Sequence, residues 1–170
     1  MGADTLLLAI VLALGAMIAL VAARRQSTLV ASDLGLRDPV TLRSETLRLV
    51  GRPDEIHRDR QTGKLYPIEV KPRRRSDVLH HSDRLQLAVY LVLAREAYGR
   101  RFAQYGIVRY ATRDFRVVLT PELEREVAFV ADAVRRARAA SNVHRDHQVP
   151  AKCRACAQRS RCVEALASIG

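Results

Sequence analysis

The chain has 170 residues, enough for one domain with a real core and an appendage. Its 29 Lys and Arg against 18 Asp and Glu leave a net charge of +11, carried mostly by arginine, which suits bidentate phosphate recognition and points to nucleic acid or an anionic membrane as partner. Only three cysteines are present, all within ten residues near the C-terminus, which excludes a disulfide framework and fits a reducing compartment.

Residues 5–23 read TLLLAIVLALGAMIALVAA without a charge. At about 1.5 Å per residue such a helix is roughly 28 Å long, close to the ~30 Å of a bilayer core. A cleaved signal peptide would carry positive charge before the apolar run, whereas here the positives follow it at Arg24 and Arg25. The positive-inside rule then leaves the N-terminus outside and the rest of the chain in the cytoplasm. Residues 1–25 are thus expected to be a single-pass anchor. A buried core helix is the weaker alternative, because such helices rarely lack a polar residue on every side.

Residues 26–43 show no clear period and read as a linker. Residues 46–50 alternate loosely and end at Gly51 as a strand would. After the break at Gly51-Arg52-Pro53, residues 53–57 read as extended, 59–64 as a polar turn with a glycine, and 65–71 as the next strand. In that strand the period of two puts Glu69 and Lys71 on one face and Ile68 and Val70 on the other. A hairpin here brings Asp54 back towards Glu69. Two converging carboxylates repel one another, and a divalent cation is the common relief. Arg73, Arg74 and Arg75 follow directly, placed to grip a phosphate backbone.

Residues 79–98 read as a helix ended by Gly99. Its middle, residues 87–94, is apolar nearly all round, so it is a buried helix packed on a sheet. Gln86 and Tyr90 stand at i and i+4 on one face, and a buried amide there needs a partner. Residues 104–110 and 115–120 read as two strands of a second hairpin. Thr120 and Pro121 then open a helix whose apolar residues Leu123, Val127, Val130, Val134 and Ala137 form a stripe, with Arg135, Arg136 and Arg138 at its end. The order predicts a mixed α/β domain with a small central sheet over residues 44–140.

Residues 141–170 form a polar tail with His144, His147 and the spacing Cys153-x2-Cys156-x5-Cys162. Three thiols so grouped read as a metal-type site, with His147 or His144 as a fourth ligand for zinc. An iron–sulfur cluster usually takes four thiolates, one more than the chain has.

Together Gly51-Arg52-Pro53-Asp54-Glu55-Ile56, Pro67-Ile68-Glu69-Val70-Lys71, Gln86-x3-Tyr90 and the cysteine tail resemble the PD-(D/E)XK nuclease superfamily. The branch they are most similar to is the RecB-like, CRISPR-associated exonuclease type with a C-terminal iron–sulfur motif. The resemblance spans residues 44–163. It implies a restriction-endonuclease-like core, with Asp54, Glu69 and the Val70 carbonyl as ligands of Mg²⁺ or Mn²⁺. Lys71 would orient or activate the attacking water, while Gln86 and Tyr90 would line the site from the helix and hold the nucleic-acid strand. DNA is the implied substrate, and recombination or repair proteins are the implied partners. The chain departs from the family in having no His before His57 and no Cys before Cys153, where a histidine ligand and a first cluster cysteine are usual. Glu45 is the acid available upstream. The expected function is membrane-anchored, metal-dependent hydrolysis of DNA phosphodiesters; the alternatives are a nucleic-acid-binding module of the same fold without catalysis and a membrane-associated scaffold.

Overall fold

The computed structural model describes residues 11–15, 27–35, 38–141 and 143–166. It divides into two compact units, Met1–Ala131 and Asp132–Gly170. The first holds strands β1 (Ser27–Ser32), β2 (Leu42–Ser44), β3 (Leu49–Gly51), β4 (Glu55–Asp59) and β5 (Leu65–Lys71), helix α1 (His81–Tyr98), then β6 (Tyr105–Tyr110) and β7 (Asp114–Val118). Helix α2 (Pro121–Ala139) begins in this unit and runs past its boundary. A short helix α3 (Pro150–Arg154) belongs to the second unit.

Five strands form one sheet in the order β1-β4-β5-β6-β7. Only β5 and β6 run parallel, with Glu69 opposite Val108 and Lys71 opposite Tyr110. A parallel neighbour requires a crossover, and α1 provides it. The mixed α/β class expected from the sequence is therefore observed, with a mostly antiparallel central sheet flanked by helices, consistent with a restriction-endonuclease-like core.

Three local expectations need correction. Residues 26–43 are not a featureless linker: Ser27–Ser32 form the edge strand β1, antiparallel to β4 with an irregularity between Leu29 and Ala31. Its first four residues alternate between half-buried and exposed, and Ala31 and Ser32 beyond the irregularity are both buried. The strand expected over residues 46–50 is mostly a turn. Ser44 Oγ accepts from the Leu47 amide at 3.0 Å and Arg48 takes a positive φ of 49°, so β2 and β3 pair as a separate hairpin. The apolar stripe of α2 buries Leu123, Val127 and Ala131, whereas Val134 is exposed. Residues four apart lie nearly in line along a helix, and here that line ends at Ala131.

The N-terminal segment is described only at residues 11–15, which are helical with Val11, Leu12 and Leu14 exposed. Among the described residues no helix is long and apolar enough to cross a membrane. The remainder of the span expected over residues 5–23 lies outside the described residues.

The β4–β5 turn closes because Asp59 Oδ1 accepts from the amides of Gln61 and Thr62 at 2.8 and 2.9 Å. The Thr62 amide holds the Asp59 carboxyl below its ordinary value. Helix α1 ends at Gly99, whose φ of 56° is the left-handed region that glycine enters without strain. Leu87, Ala88, Leu91, Val92, Leu93 and Ala94 are all buried. The all-round apolarity has a direct cause: α1 packs on β5, β6 and β7 and also against the β2–β3 hairpin. Leu123 and Val127 of α2 complete the same core. Ion pairs from Arg84 to Glu126 at 2.7 Å and from Arg95 to Glu124 rim it.

Gly51 ends β3 against this helix. A Cβ there would lie 2.9 Å from Leu93 Cδ1 and from the Tyr90 ring. Gly51→Ala is expected to lower stability by roughly 1–3 kcal/mol through overpacking. The check is the urea midpoint; an unchanged midpoint would show that the ring yields freely.

Candidate active site

β5 alternates as its period requires. Ile68 and Tyr66 go to one face, in a cluster with Ala103, while Glu69 and Lys71 go to the other, towards α1. Glu69 is only 2% exposed. Its Oε1 pairs with Lys71 Nζ at 2.6 Å. Lys71 Nζ also donates to Gln86 Oε1 at 3.0 Å, and Gln86 Nε2 donates to the Tyr90 hydroxyl at 3.0 Å. Thus i and i+4 residues of the helix and i and i+2 residues of the strand meet in one polar chain inside an apolar interface. Asp54 stands in the bend before β4, where its Oδ2 accepts from the Val70 amide at 2.7 Å. That bond ties Asp54 to β5 beside Glu69.

The electrostatics follow from burial. Desolvation pushes the Glu69 carboxyl above its ordinary value, and the charge of Asp54 adds to that; the Lys71 bond pulls the other way without prevailing. Burial works against the Lys71 charge, but its bond to Glu69 and the charges of Glu69, Asp83 and Asp54 together outweigh this and hold the ammonium above its ordinary value. Burial also raises the Tyr90 hydroxyl, which therefore remains a phenol. Glu69 Oε2 is buried and has no hydrogen-bond partner among the described residues. An unsatisfied buried acceptor costs on the order of 1–3 kcal/mol, more when charged, so this oxygen has the character of a vacant ligand. Among the described residues, however, no group of three or more His, Cys, Asp or Glu is disposed to hold a metal ion. Glu45 is exposed in the β2–β3 turn.

The three arginines after β5 differ. Arg73 and Arg75 are exposed, whereas Arg74 Nε lies 3.4 Å from Asp83 Oδ2. Asp83 was not among the residues singled out from the sequence. It is buried at 4% exposure in the first turn of α1 and accepts from the Tyr110 hydroxyl at 2.6 Å. A usable signal was present, since positions 83, 86 and 90 share one helix face at i, i+3 and i+7. The other sheet face carries a second polar chain, Ser27 to His57 Nδ1 at 3.0 Å and His57 Nε2 to Glu55 at 2.7 Å, with Arg109 reaching Glu55 at 3.4 Å. It satisfies the buried Glu55 and links β1, β4 and β6.

In the second unit Cys153 is buried, Cys162 half-buried and Cys156 exposed, all as free thiols. These three cysteines, His144 and His147 line one cavity of about 130 Å³. His147 Nδ1 accepts from the Val149 amide at 3.2 Å, and His144 Nδ1 meets Glu164 Oε1 at 2.6 Å.

Comparison with known proteins places the chain in a family. The model of the PD-(D/E)XK nuclease superfamily matches residues 7–163, and the chain belongs to that superfamily. Its members are nucleases, that is, phosphodiesterases. The match begins within the apolar N-terminal segment. Among solved structures, one titled "Crystal structure of SSO0001" is similar at a TM-score of 0.46 and 18% identity, over 97% of this chain and 73% of that one. Comparison with curated proteins gives no match.

Because burial raises the Glu69 carboxyl above its unfolded value, its contribution to stability is complete below about pH 4.5 and is lost as pH rises through the raised value. Glu69→Gln is therefore expected to raise the melting temperature of the metal-free protein by more at about pH 7.5 than at about pH 4. Calorimetry at both values checks this; a gain that shrinks with rising pH would contradict an uncompensated carboxylate.

Proposed function

We propose that the chain is a divalent-metal-dependent DNA nuclease of the RecB-like exonuclease type, tethered to a membrane by residues 5–23. The observation that carries the catalytic part is the orphaned Glu69 Oε2 beside the Lys71–Gln86–Tyr90 chain. Asp54 and Glu69, with the Val70 carbonyl, would hold Mg²⁺ or Mn²⁺. When bound, the cation would supply Lewis-acid stabilisation of phosphate charge and a more acidic water. Lys71 brings a cation next to the reacting phosphate and orients the water. Gln86 keeps the Lys71 ammonium aimed by accepting one of its protons, and Tyr90 fixes the Gln86 amide in turn.

One observation favours a second reading, a nucleic-acid-binding module of the same fold without catalysis. Among the described residues the acidic set stops at two carboxylates, one short of a three-residue metal group.

In the tail, Cys153, Cys156 and Cys162 with His147 would form a zinc or iron–sulfur site. Three thiolates and an imidazole complete a zinc tetrahedron. For a cluster, the imidazole would stand where a fourth thiolate is usual. The anchor rests on the charge-free length of residues 5–23 and on Arg24 and Arg25 behind it.

One preparation tests these points: the full chain, recovered from the membrane fraction and purified anaerobically in detergent. It is expected to resist alkaline carbonate extraction and to retain zinc, or iron with sulfide, that Cys156→Ser releases. Carbonate extraction would remove the anchor, and metal-free protein would remove the tail site. Cleavage of DNA is expected only with Mg²⁺ or Mn²⁺. Lys71→Ala should reduce it by about 10²-fold or more in a protein that still folds, with a lower melting temperature because Glu69 loses its compensating charge. EDTA-resistant cutting or a fully active Lys71→Ala protein would overturn the nuclease reading, and binding without cutting would establish the second one.

A further inference from the structure

Just beyond Lys71 the chain is pinned at Arg74. The Arg74 amide donates to the Lys71 carbonyl at 3.0 Å, and its own carbonyl accepts from the Ala111 amide at 3.0 Å. Its side chain is restrained as well, by an ion pair at 3.4 Å and a ring contact. Nε pairs with Asp83, and the guanidinium carbon lies 5.9 Å from the centroid of the Tyr110 ring. Tyr110 is fixed in turn, donating to Asp83 and accepting from the His80 amide at 3.0 Å. Burial pushes the Tyr110 hydroxyl up, so it stays a donor. Two rungs thus join the end of β5 to one face of α1: Lys71 with Gln86, and Arg74 with Asp83 one turn earlier.

Using only Nε leaves the four N–H donors of the terminal nitrogens. They have no partner among the described residues, and the side chain is 38% exposed. Among the described residues, the other arginines near this end of the sheet are differently disposed. Arg109 is spent on Glu55 and Asp114. Arg113 pairs with Asp77 and covers Phe115. Arg73 and Arg75 are exposed and have no ion pair or ring contact among the described residues. Holding an arginine in one rotamer costs entropy, so one already restrained loses less on gripping a ligand.

We propose that Arg74 is a preorganised phosphate clamp for the nucleic-acid backbone next to the Lys71 site, and that Asp83 and Tyr110 are its positioning residues. The clamp rests on the nucleic-acid reading of the site, and it assigns distinct roles within a run of three arginines. Asp83, an acid beside an anionic ligand, makes sense here because it acts through the cation it holds.

The test uses the full chain and a short fluorescein-labelled DNA, as duplex and as single strand, with Ca²⁺ replacing Mg²⁺ so that binding is read without cleavage. Affinity is measured across a salt series. Arg74→Ala should weaken binding several-fold and reduce the slope of log K against log salt by about 0.9 on duplex or about 0.7 on single strand. Arg73→Ala and Arg75→Ala should do less. Asp83→Asn and Tyr110→Phe should weaken binding in the same direction, and should add little to Arg74→Ala. In turnover with Mg²⁺ they should raise KM more than they lower kcat. An Arg74→Ala protein with unchanged affinity and slope would overturn the clamp, as would positioning variants whose effects add in full. Should Asp83→Asn fail to fold, Tyr110→Phe and the half-exposed Arg74 still decide the matter. Binding that depends on Arg74 in a protein that cuts with no divalent metal would discard the nuclease reading and keep the clamp; cutting with binding indifferent to Arg74 would do the reverse.

Discussion

Glu69 lies almost wholly out of water with one oxygen engaged and the other without a partner. A buried carboxylate survives only when its surroundings hold a compensating charge and fix its place. Lys71 supplies the charge from the same strand face, and its half-exposure lets the pair keep one side towards solvent. From the helix, Gln86 then accepts from the ammonium, and Tyr90 accepts from Gln86. Asp54 is drawn into the same region by the Val70 amide, although its charge opposes that of Glu69. The site stores an unfavourable electrostatic arrangement that a cation would relieve, and the apolar core around α1 keeps it from relaxing.

That core explains the shape of the helix sequence. A helix lying on a sheet needs one apolar face, but α1 also meets the β2–β3 hairpin and so needs two. Three of its polar residues, Asp83, Gln86 and Tyr90, fall on a single line facing the end of β5, while Arg84 and Arg95 turn to α2. Gly51 allows the hairpin to close on that line. Without a Cβ at this point, the backbone of β3 reaches the Tyr90 ring directly. The glycine of the Gly51-Arg52-Pro53-Asp54 run therefore serves packing three residues before the carboxylate it introduces.

Much of this was legible in the sequence because short-range periodicity carried it. The period of two separated Glu69 and Lys71 from Ile68 and Val70, and the i, i+4 spacing joined Gln86 to Tyr90. Other features depend on partners far along the chain and left little trace. β1 is half-buried only because β4 lies beside it, and its residues alone resemble a linker. The stripe of α2 stops at Ala131, although the apolar spacing runs on to Val134. Asp83 looked like an ordinary acid in a first helical turn, since its partners Tyr110 and Arg74 come from two other segments. The cysteines were conspicuous in sequence, and the structure places them around one small cavity without bringing them into a metal-holding group.

The two rungs at the end of β5 have a common construction. Each sets a buried carboxylate behind a half-exposed cation, Glu69 behind Lys71 and Asp83 behind Arg74. The acid is the fixed member, held by burial and, for Asp83, also by the Tyr110 hydroxyl; the base is the member that faces a ligand. Most of the net charge of +11 resides in arginines that solvent can reach, and such charges attract a polyanion without specifying its register. Cations anchored by buried acids do specify register, because each has one position relative to the sheet. A basic surface can gather nucleic acid from many directions, whereas Lys71 and Arg74, among the described residues, are tied to the end of the strand that bears Glu69 and so can align a phosphate with it.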